Sequence, residues 1–246
     1  MKTAFLLLIA VLLSNVGSAA DAFPVSHDQL ATALRKAQAE PNGGFGLHMW
    51  ASLVDRDGTV VAVAYSGPDR TAQWPGSRLI SAQKANTANA FSLPGLALST
   101  ANLFTAVQPG GSLFGLQQSN PINPAVAYRG EPADFGSAKD PLVGGRIGGI
   151  NVFGGGLALY DKSGALLGGV GVSGDSSAAD HNIAWKLRHF LALDYVPAGV
   201  SPTKDDNIVY DIANGVSASG WGHPVVSPAA TEIANKLPTT HPLSKH

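Results

Sequence analysis

Two segments of this chain repeat one pattern, in which an Asp-x-x-Gly tetrapeptide separates two apolar runs. The first segment spans residues 49–65 and the second spans residues 155–172. Aspartate favours the start of a tight turn through its side chain, and glycine takes the positive φ that such turns require. Each segment is therefore predicted to be a β-hairpin. Two hairpins predict an antiparallel sheet of at least four strands.

Helical periodicity occurs on both sides of the hairpins. It predicts helices over residues 27–40, 77–91, 96–107, 176–193 and 229–237. Residues 108–149 are rich in proline and glycine, which predicts loops with short strands; loops of this length are usually functional or mobile. The combination indicates an α+β domain, with one antiparallel sheet and helices on its faces.

The amino terminus has the pattern of an export signal. Lys2 precedes an apolar run over residues 4–13, and small residues follow at 17–22. The run is shorter than the roughly 20 residues that span a bilayer. Residues 1–22 are therefore predicted to be a signal peptide, and the mature protein to be periplasmic or secreted without a membrane span. The absence of cysteine excludes disulfides, zinc–thiolate sites and thiol nucleophiles.

The charge balance argues against nucleic acid as a partner and favours other copies of the same chain. Sixteen Lys and Arg residues face 17 Asp and Glu residues, whereas nucleic-acid binders usually have a basic excess. Charged residues make up 13% of the chain, against roughly 25% in an average soluble domain. An apolar chain with few charges and a glycine-rich final strand is expected to form a homo-oligomer.

Residues 169–174 match the G-x-G-x-x-G fingerprint of dinucleotide sites, and Asp194 follows at a suitable offset. The preceding strand belongs to a hairpin, however, whereas the dinucleotide fold needs a parallel βαβ unit. These glycines are better explained if the strand lies close to a helix or to a partner chain. Ser176 lies where a helix N-cap is expected, which favours capping over a nucleophilic role. The amides of residues 176–178 could still receive a carboxylate or propionate.

Several side chains are candidates for ligand binding. His181, Trp185 and His189 form an i, i+4, i+8 row, which indicates either a face for a flat ligand or a partly exposed helix edge. His48 precedes the first strand beside Met49, and imidazole and thioether groups both ligate haem iron, although both residues could simply be strand-end residues. Lys84 is a cation on an apolar helix. It either extends its ammonium to water or points at an anionic ligand group.

Four motifs in order resemble the GlcG/HbpS haem-binding family, also called the haem-degrading domain family. The resemblance runs from about Gln29 to Leu193. It is carried by Ser81–Ala82–Gln83–Lys84–Ala85–Asn86–Thr87–Ala88, by residues 114–121, by residues 154–160 continuing through 168–174, and by Asp180 with Ile183 and Ala184.

The resemblance implies a profilin-like antiparallel sheet with helices on both faces, assembly into dimers or higher oligomers, and haem as the cofactor. It also implies a haem-binding domain over residues 23–193 and a C-terminal extension over residues 194–246. Many members carry a histidine just after the glycine of the first hairpin turn, where this chain has Thr59. The chain also departs from the family by an insertion around residues 128–142.

The expected function is that of an exported haem-binding protein which captures or presents haem without turnover. Because of Thr59, another imidazole would have to approach the iron, or the protein binds something else. No catalytic residue is predicted and the metal ligand is left open. The alternatives are a haem-degrading or other small-molecule enzyme, with residues 108–149 as a lid, and an oligomeric scaffold. The predicted haem-binding residues are His48, Lys84, His181 and His189, and the candidate propionate partners are Arg78, Lys84, Arg146 and Arg188.

Overall fold

A computed structural model describes residues 23–245, so the predicted signal peptide at residues 1–22 lies outside the described residues. The first helix, α1, spans His27–Ala39. Ser26 forms a capping box with Gln29: the Ser26 amide donates to Gln29 Oε1 at 2.8 Å, and the Gln29 amide donates to Ser26 Oγ at 3.3 Å. These reciprocal bonds satisfy amides that would otherwise lack partners, which explains why the helix starts here.

Both predicted hairpins are confirmed. Strands β1 (Trp50–Asp55) and β2 (Val60–Tyr65) form the first, and β3 (Gly156–Tyr160) and β4 (Leu166–Ser173) form the second. The two hairpins join through β1 and β4, so the sheet has the order β2-β1-β4-β3 and every pairing is antiparallel. The glycine fingerprint therefore lies on a hairpin strand and not in a parallel nucleotide-binding unit.

Helices cover both faces of the sheet, as expected for the profilin-like α+β class. Helix α2 (Ser77–Phe91) packs on the face that carries Trp50 and Val54. Helix α1 and a later helix, α5 (Ser177–Phe190), pack on the face that carries Ala51 and Leu53. This division follows from the alternation of side chains along a strand.

Glycines on β4 allow α2 to lie very close to the sheet. A Cβ atom added at Gly171 would lie 1.9 Å from the Ser81 carbonyl oxygen, and one at Gly169 would lie 2.3 Å from the Ala85 carbonyl oxygen. Any larger residue would push the helix away. The expected close approach is therefore confirmed, and the neighbour is a helix of the same chain.

The predicted helix over residues 96–107 is wrong. Two short 3-10 helices, Thr100–Leu103 and Thr105–Val107, take its place. The Ala97 amide donates to the Ala198 carbonyl at 2.8 Å, which ties this end to the C-terminal extension. Ser99 then caps the first short helix. Tertiary contacts thus override the helical periodicity of this segment.

Residues 108–149 contain loops, as predicted, but the expected short strands are wrong. The segment forms two short helices, α3 (Leu116–Ser119) and α4 (Pro124–Ala127), and a 3-10 turn at Pro132–Asp134. Its β contacts within the described residues are isolated bridges, such as that between Ile122 and Gly148.

The C-terminal extension packs on its own domain. It contains a small hairpin of β5 (Ile212–Ala213) and β6 (Val216–Ser217), followed by helix α6 (Pro228–Thr240). Helix α6 lies on α5, where Asn182 Nδ2 donates to the Ala230 carbonyl at 3.0 Å. The predicted final helix is confirmed and is longer than expected, whereas α5 ends before the predicted residue 193.

Candidate functional site

A cavity of about 490 Å³ lies beside Trp50, on the face of the sheet that α2 covers. Its size falls within the roughly 300–1,000 Å³ of small-molecule sites. Aromatic and aliphatic side chains dominate its walls. We call it the aromatic cavity, and its principal lining residues are Trp50, Arg70, Leu79, Tyr128, Pro132 and Phe135.

A buried ion pair attaches the insertion to α2 and so builds one wall of the aromatic cavity. Arg78 Nε donates to Asp140 Oδ2 at 2.9 Å, and the Arg78 guanidinium lies 3.7 Å from the centre of the Phe135 ring. Asp140 also accepts hydrogen bonds from the amides of Gly136 at 2.6 Å and Leu142 at 2.8 Å. Charge-assisted bonds of this kind fix geometry strongly. Asp140 therefore holds the loop while Arg78 positions Phe135.

The rim of the aromatic cavity carries two exposed polar side chains. Arg70 makes no hydrogen bond in the described chain, and its charge acts on the neighbouring Asp69. Tyr128 is 71% exposed. On the wall, Trp50 is buried with its ring 5.4 Å from that of Tyr65, and its Nε1 has no hydrogen-bond partner. The cavity thus combines apolar walls with a cation and a phenol.

Lys84 lies at a second, smaller cavity of about 270 Å³. Its Nζ donates to Asp180 Oδ2 at 2.7 Å and to the Val172 carbonyl at 3.1 Å. Burial raises the pKa of Asp180 to about 6, and the nearby ammonium offsets only part of that shift. We call this the lysine cavity; its other polar lining residues include Asn151, Ser173, Asp175 and Ser177.

Ser176 caps α5, as predicted: its hydroxyl accepts a hydrogen bond from the Ala179 amide at 3.4 Å. The next residue, Ser177, borders the lysine cavity. The start of α5 and the Lys84 side chain, which the sequence marked separately as candidate anion contacts, therefore meet at one place.

The histidine row on α5 lies against the C-terminal extension. His181 is fully buried, with Nε2 3.1 Å from Asn207 Oδ1, and burial lowers its pKa to about 3. Trp185 is also buried, and its Nε1 donates to the His241 carbonyl at 2.9 Å. His189 Nδ1 lies 2.9 Å from Asp194 Oδ2. The expected open face for a flat ligand, or exposed helix edge, is therefore largely covered by the chain itself.

His48 stands apart from the row. It is half-buried, with Nδ1 3.3 Å from Ser66 Oγ, and Met49 beside it is buried in the core. Of the four predicted haem-binding residues, Lys84 borders one of the two cavities described here, and the three histidines border neither. The structure does not bring the four together, and their role in haem binding stays a prediction.

The arginines predicted to contact the haem propionates also lie in different parts of the structure. Arg188 is buried and bound to Asp206, with nitrogen–oxygen distances of 2.6 and 2.7 Å. Arg78 borders the aromatic cavity but is committed to Asp140. Arg146 is exposed and borders neither cavity.

Arg70, Phe135 and Asp140 were not identified from the sequence, and Tyr128 was noted only as the start of an insertion. For Tyr128, Phe135 and Asp140 the usable signal was the long proline- and glycine-rich segment that contains them, since long loops in compact domains are often functional. No pattern in the sequence marked Arg70.

Within residues 23–245, no three His, Asp or Glu side chains form a cluster suited to a metal ion. The described helices include none with the length and hydropathy needed to cross a membrane.

The fold is an α+β domain built on a profilin-like antiparallel sheet, with one cavity in the size range of small-molecule sites. Residues 26–187 match the model of the family described as "Haem degrading protein HbpS-like". The chain belongs to this HbpS-like family, as the sequence motifs indicated.

Solved structures of similar proteins include three that align with most of their own length. The structure described as a PduOC:heme complex shares 26% identity, covers 66% of this chain and 89% of its own, and has a TM-score of 0.46. Klebsiella pneumoniae protein ORFY shares 27% identity over 68% and 88%, with a TM-score of 0.45. A double mutant of Streptomyces reticuli HbpS shares 19% identity over 78% and 99%, with a TM-score of 0.42. No curated protein matches the chain.

Proposed function

We propose that this protein binds haem in the aromatic cavity and captures or presents it outside the cytoplasm without degrading it. The observation that carries the proposal is the aromatic cavity of about 490 Å³ in a chain of the HbpS-like haem family. Apolar walls with a few convergent polar groups are typical of cofactor sites.

The lining residues suit a flat, dianionic porphyrin. Trp50, Leu79 and Phe135 supply apolar surface for the macrocycle, and burying such surface contributes roughly 25 cal/mol per Å². Arg70 has an exposed guanidinium at the rim, which suits a propionate because charge-assisted bonds to carboxylates are strong. Bound haem supplies a redox-active iron that can take axial ligands.

Binding without turnover is supported by the chemistry of the lining. Among the described residues that border the aromatic cavity there is no imidazole and no carboxylate, and the phenol of Tyr128 is the one neutral group there that can exchange a proton with a bound molecule. The nearby Asp140 is held by Arg78 and by two backbone amides. Haem degradation, which the family description names, is the competing outcome of the test below.

Titration of the mature protein with haemin tests the binding site. Wild type should give a shifted Soret band. Gly76 borders the aromatic cavity, and a Cβ atom added there would meet nothing within 4 Å. Gly76→Phe should therefore fill the cavity and weaken haemin binding by roughly tenfold or more. Gly95 also has open space but does not border this cavity, so Gly95→Phe is the matched control. An unshifted Soret band in wild type would refute haem binding, and unchanged binding by Gly76→Phe would refute this site.

Turnover and export need separate measurements. Haem incubated with the protein and a reductant should be recovered intact, and release of a ring-opened product would favour the enzyme alternative. The exported protein should appear in the extracytoplasmic fraction with an amino terminus at Ala20, Asp21 or Phe23. An uncleaved cytoplasmic chain would contradict export.

A further inference from the structure

One side chain at the rim of the aromatic cavity carries an atom of a type that ligates ferric iron. Haem iron in proteins is held by histidine, cysteine, methionine or tyrosine. Among the described residues that border this cavity, the first three types are missing and Tyr128 represents the fourth.

The histidines predicted from the sequence are engaged elsewhere. His48 contacts Ser66, and His189 contacts Asp194. His181 is enclosed between α5 and the C-terminal extension, where it contacts Asn207. None of the three borders the aromatic cavity, and for His181 to reach a porphyrin there a packed element would have to move.

The backbone around Tyr128 is well fixed, whereas its phenol is uncommitted. The Tyr128 amide donates to the Pro124 carbonyl at 3.2 Å and so closes α4. On one side Ala127 is buried in the core cluster. On the other side Arg129 donates to the carbonyls of Pro141 and Val143, across the insertion. The Tyr128 side chain makes no hydrogen bond within the described chain and is 71% exposed. The Tyr128 phenol is therefore an uncommitted oxygen at the cavity rim, carried on a backbone whose neighbours on both sides are held in place.

We propose that Tyr128 Oη is the axial ligand of ferric haem iron in the aromatic cavity, with Arg70 at the same rim receiving a propionate. This assignment rests on the haem-binding function proposed above. In this step the phenol O–H bond breaks, the oxygen–iron bond forms, and the water or hydroxide that ferric haem carries in solution is released. The phenol proton passes to solvent or to the released hydroxide, as for other ligands that bind metals in deprotonated form. The iron stays ferric, so no oxidant or reductant is needed.

Resonance Raman spectra of the haemin-loaded full-length mature protein test the assignment. Wild type should show the vibrational bands of an iron-bound phenolate, and Tyr128→Phe should lose them. Tyr65→Phe is the matched control, because Tyr65 packs on Trp50 but does not border the aromatic cavity. The variants His48→Ala, His181→Gln and His189→Ala should keep the phenolate bands. Circular dichroism checks that each variant is folded.

The possible outcomes separate the ligand assignment from the proposed function. If wild type binds haem without phenolate bands, or if the bands persist in Tyr128→Phe, the assignment of Tyr128 as the iron ligand is wrong. The proposed haem binding would stand in either case. Loss of the iron ligand in one of the histidine variants alone would likewise overturn Tyr128 and favour that histidine. A wild-type protein that binds no haemin would overturn the proposed function itself, and the ligand assignment with it.

Discussion

Lys84 Nζ lies 2.7 Å from Asp180 Oδ2, and the two side chains are 2% and 3% exposed. The pair links α2 to the first turn of α5, two helices that cover opposite faces of the sheet, beside the end of β4. Asp180 Oδ1 also accepts a hydrogen bond from the Asp175 amide at 2.9 Å. The pair therefore fixes the chain that leads from β4 into α5.

Removing the cation of this pair should destabilise the fold strongly. Lys84→Met leaves Asp180 buried without its counterion, a change that typically costs about 3–5 kcal/mol. Urea unfolding should show the loss, and it should be smaller at pH 5 than at pH 8 because a protonated Asp180 needs no counterion. The double variant with Asp180→Leu should recover much of the stability. A Lys84→Met protein as stable as wild type at pH 8 would contradict a structural role for the pair.

A methyl group on β4 should separate the sheet from α2. Gly171→Ala places a Cβ 1.9 Å from the Ser81 carbonyl oxygen, so the helix must shift, and overpacking of this kind costs about 1–3 kcal/mol. Gly95→Ala meets nothing within 4 Å and serves as the control. Thermal unfolding should give a lower Tm for Gly171→Ala alone. Equal Tm values for the two variants would show that α2 is not closely packed on this strand.

Two buried imidazoles should make the protein sensitive to acid. Burial lowers the pKa of His181 to about 3 and that of His223 to about 4, from an ordinary value of 6.5. At pH values between these lowered pKa values and 6.5, the unfolded chain binds more protons than the folded chain. The free energy of unfolding should therefore be fully retained above about pH 6.5 and should fall as the pH decreases from there. Asp180 acts in the opposite direction: its pKa is raised from 3.8 to about 6, so between these values the folded chain binds more protons and this group adds stability as the pH falls.

His181→Gln isolates this effect. At pH 7.5 the imidazole is neutral in both states, so the stability difference between variant and wild type there reports packing and hydrogen bonding only. Below pH 6.5 the variant should lose stability less steeply than wild type. Parallel pH profiles would show that His181 does not resist protonation in the folded state.

The insertion should lose its shape without the carboxylate that anchors it. Asp140→Asn leaves the buried Arg78 guanidinium without a counterion, which should lower the Tm and also weaken haemin binding, because Phe135 and the loop form a wall of the aromatic cavity. Glu131→Gln changes an exposed carboxylate in the same insertion and should alter stability by less than about 0.5 kcal/mol. Haemin titration and thermal unfolding measure both effects. Equal haemin affinity in the two variants would argue that the insertion does not shape the site.

Much of the fold could be predicted from short-range chemistry. The two Asp-x-x-Gly turns specify both hairpins, Ser26 and Ser176 specify where two helices begin, and the glycines of β4 indicate a close neighbour. Each of these signals acts between residues a few positions apart, so it is present in the local sequence. Residues 96–107 show the limit, because a hydrogen bond from the Ala97 amide to the Ala198 carbonyl, 101 positions away, accompanies the loss of the helix that the local pattern predicts.

The candidate site depends on contacts between distant parts of the chain. Arg78 and Asp140 are separated by 62 positions, and no periodicity or spacing relates them. The histidine row looked available on α5 because nothing in its own segment shows that the extension from residue 194 onward covers it. Turns and caps follow from the chemistry of neighbouring residues, whereas cavities and buried ion pairs arise only when the packed chain decides which distant groups are brought together and removed from water.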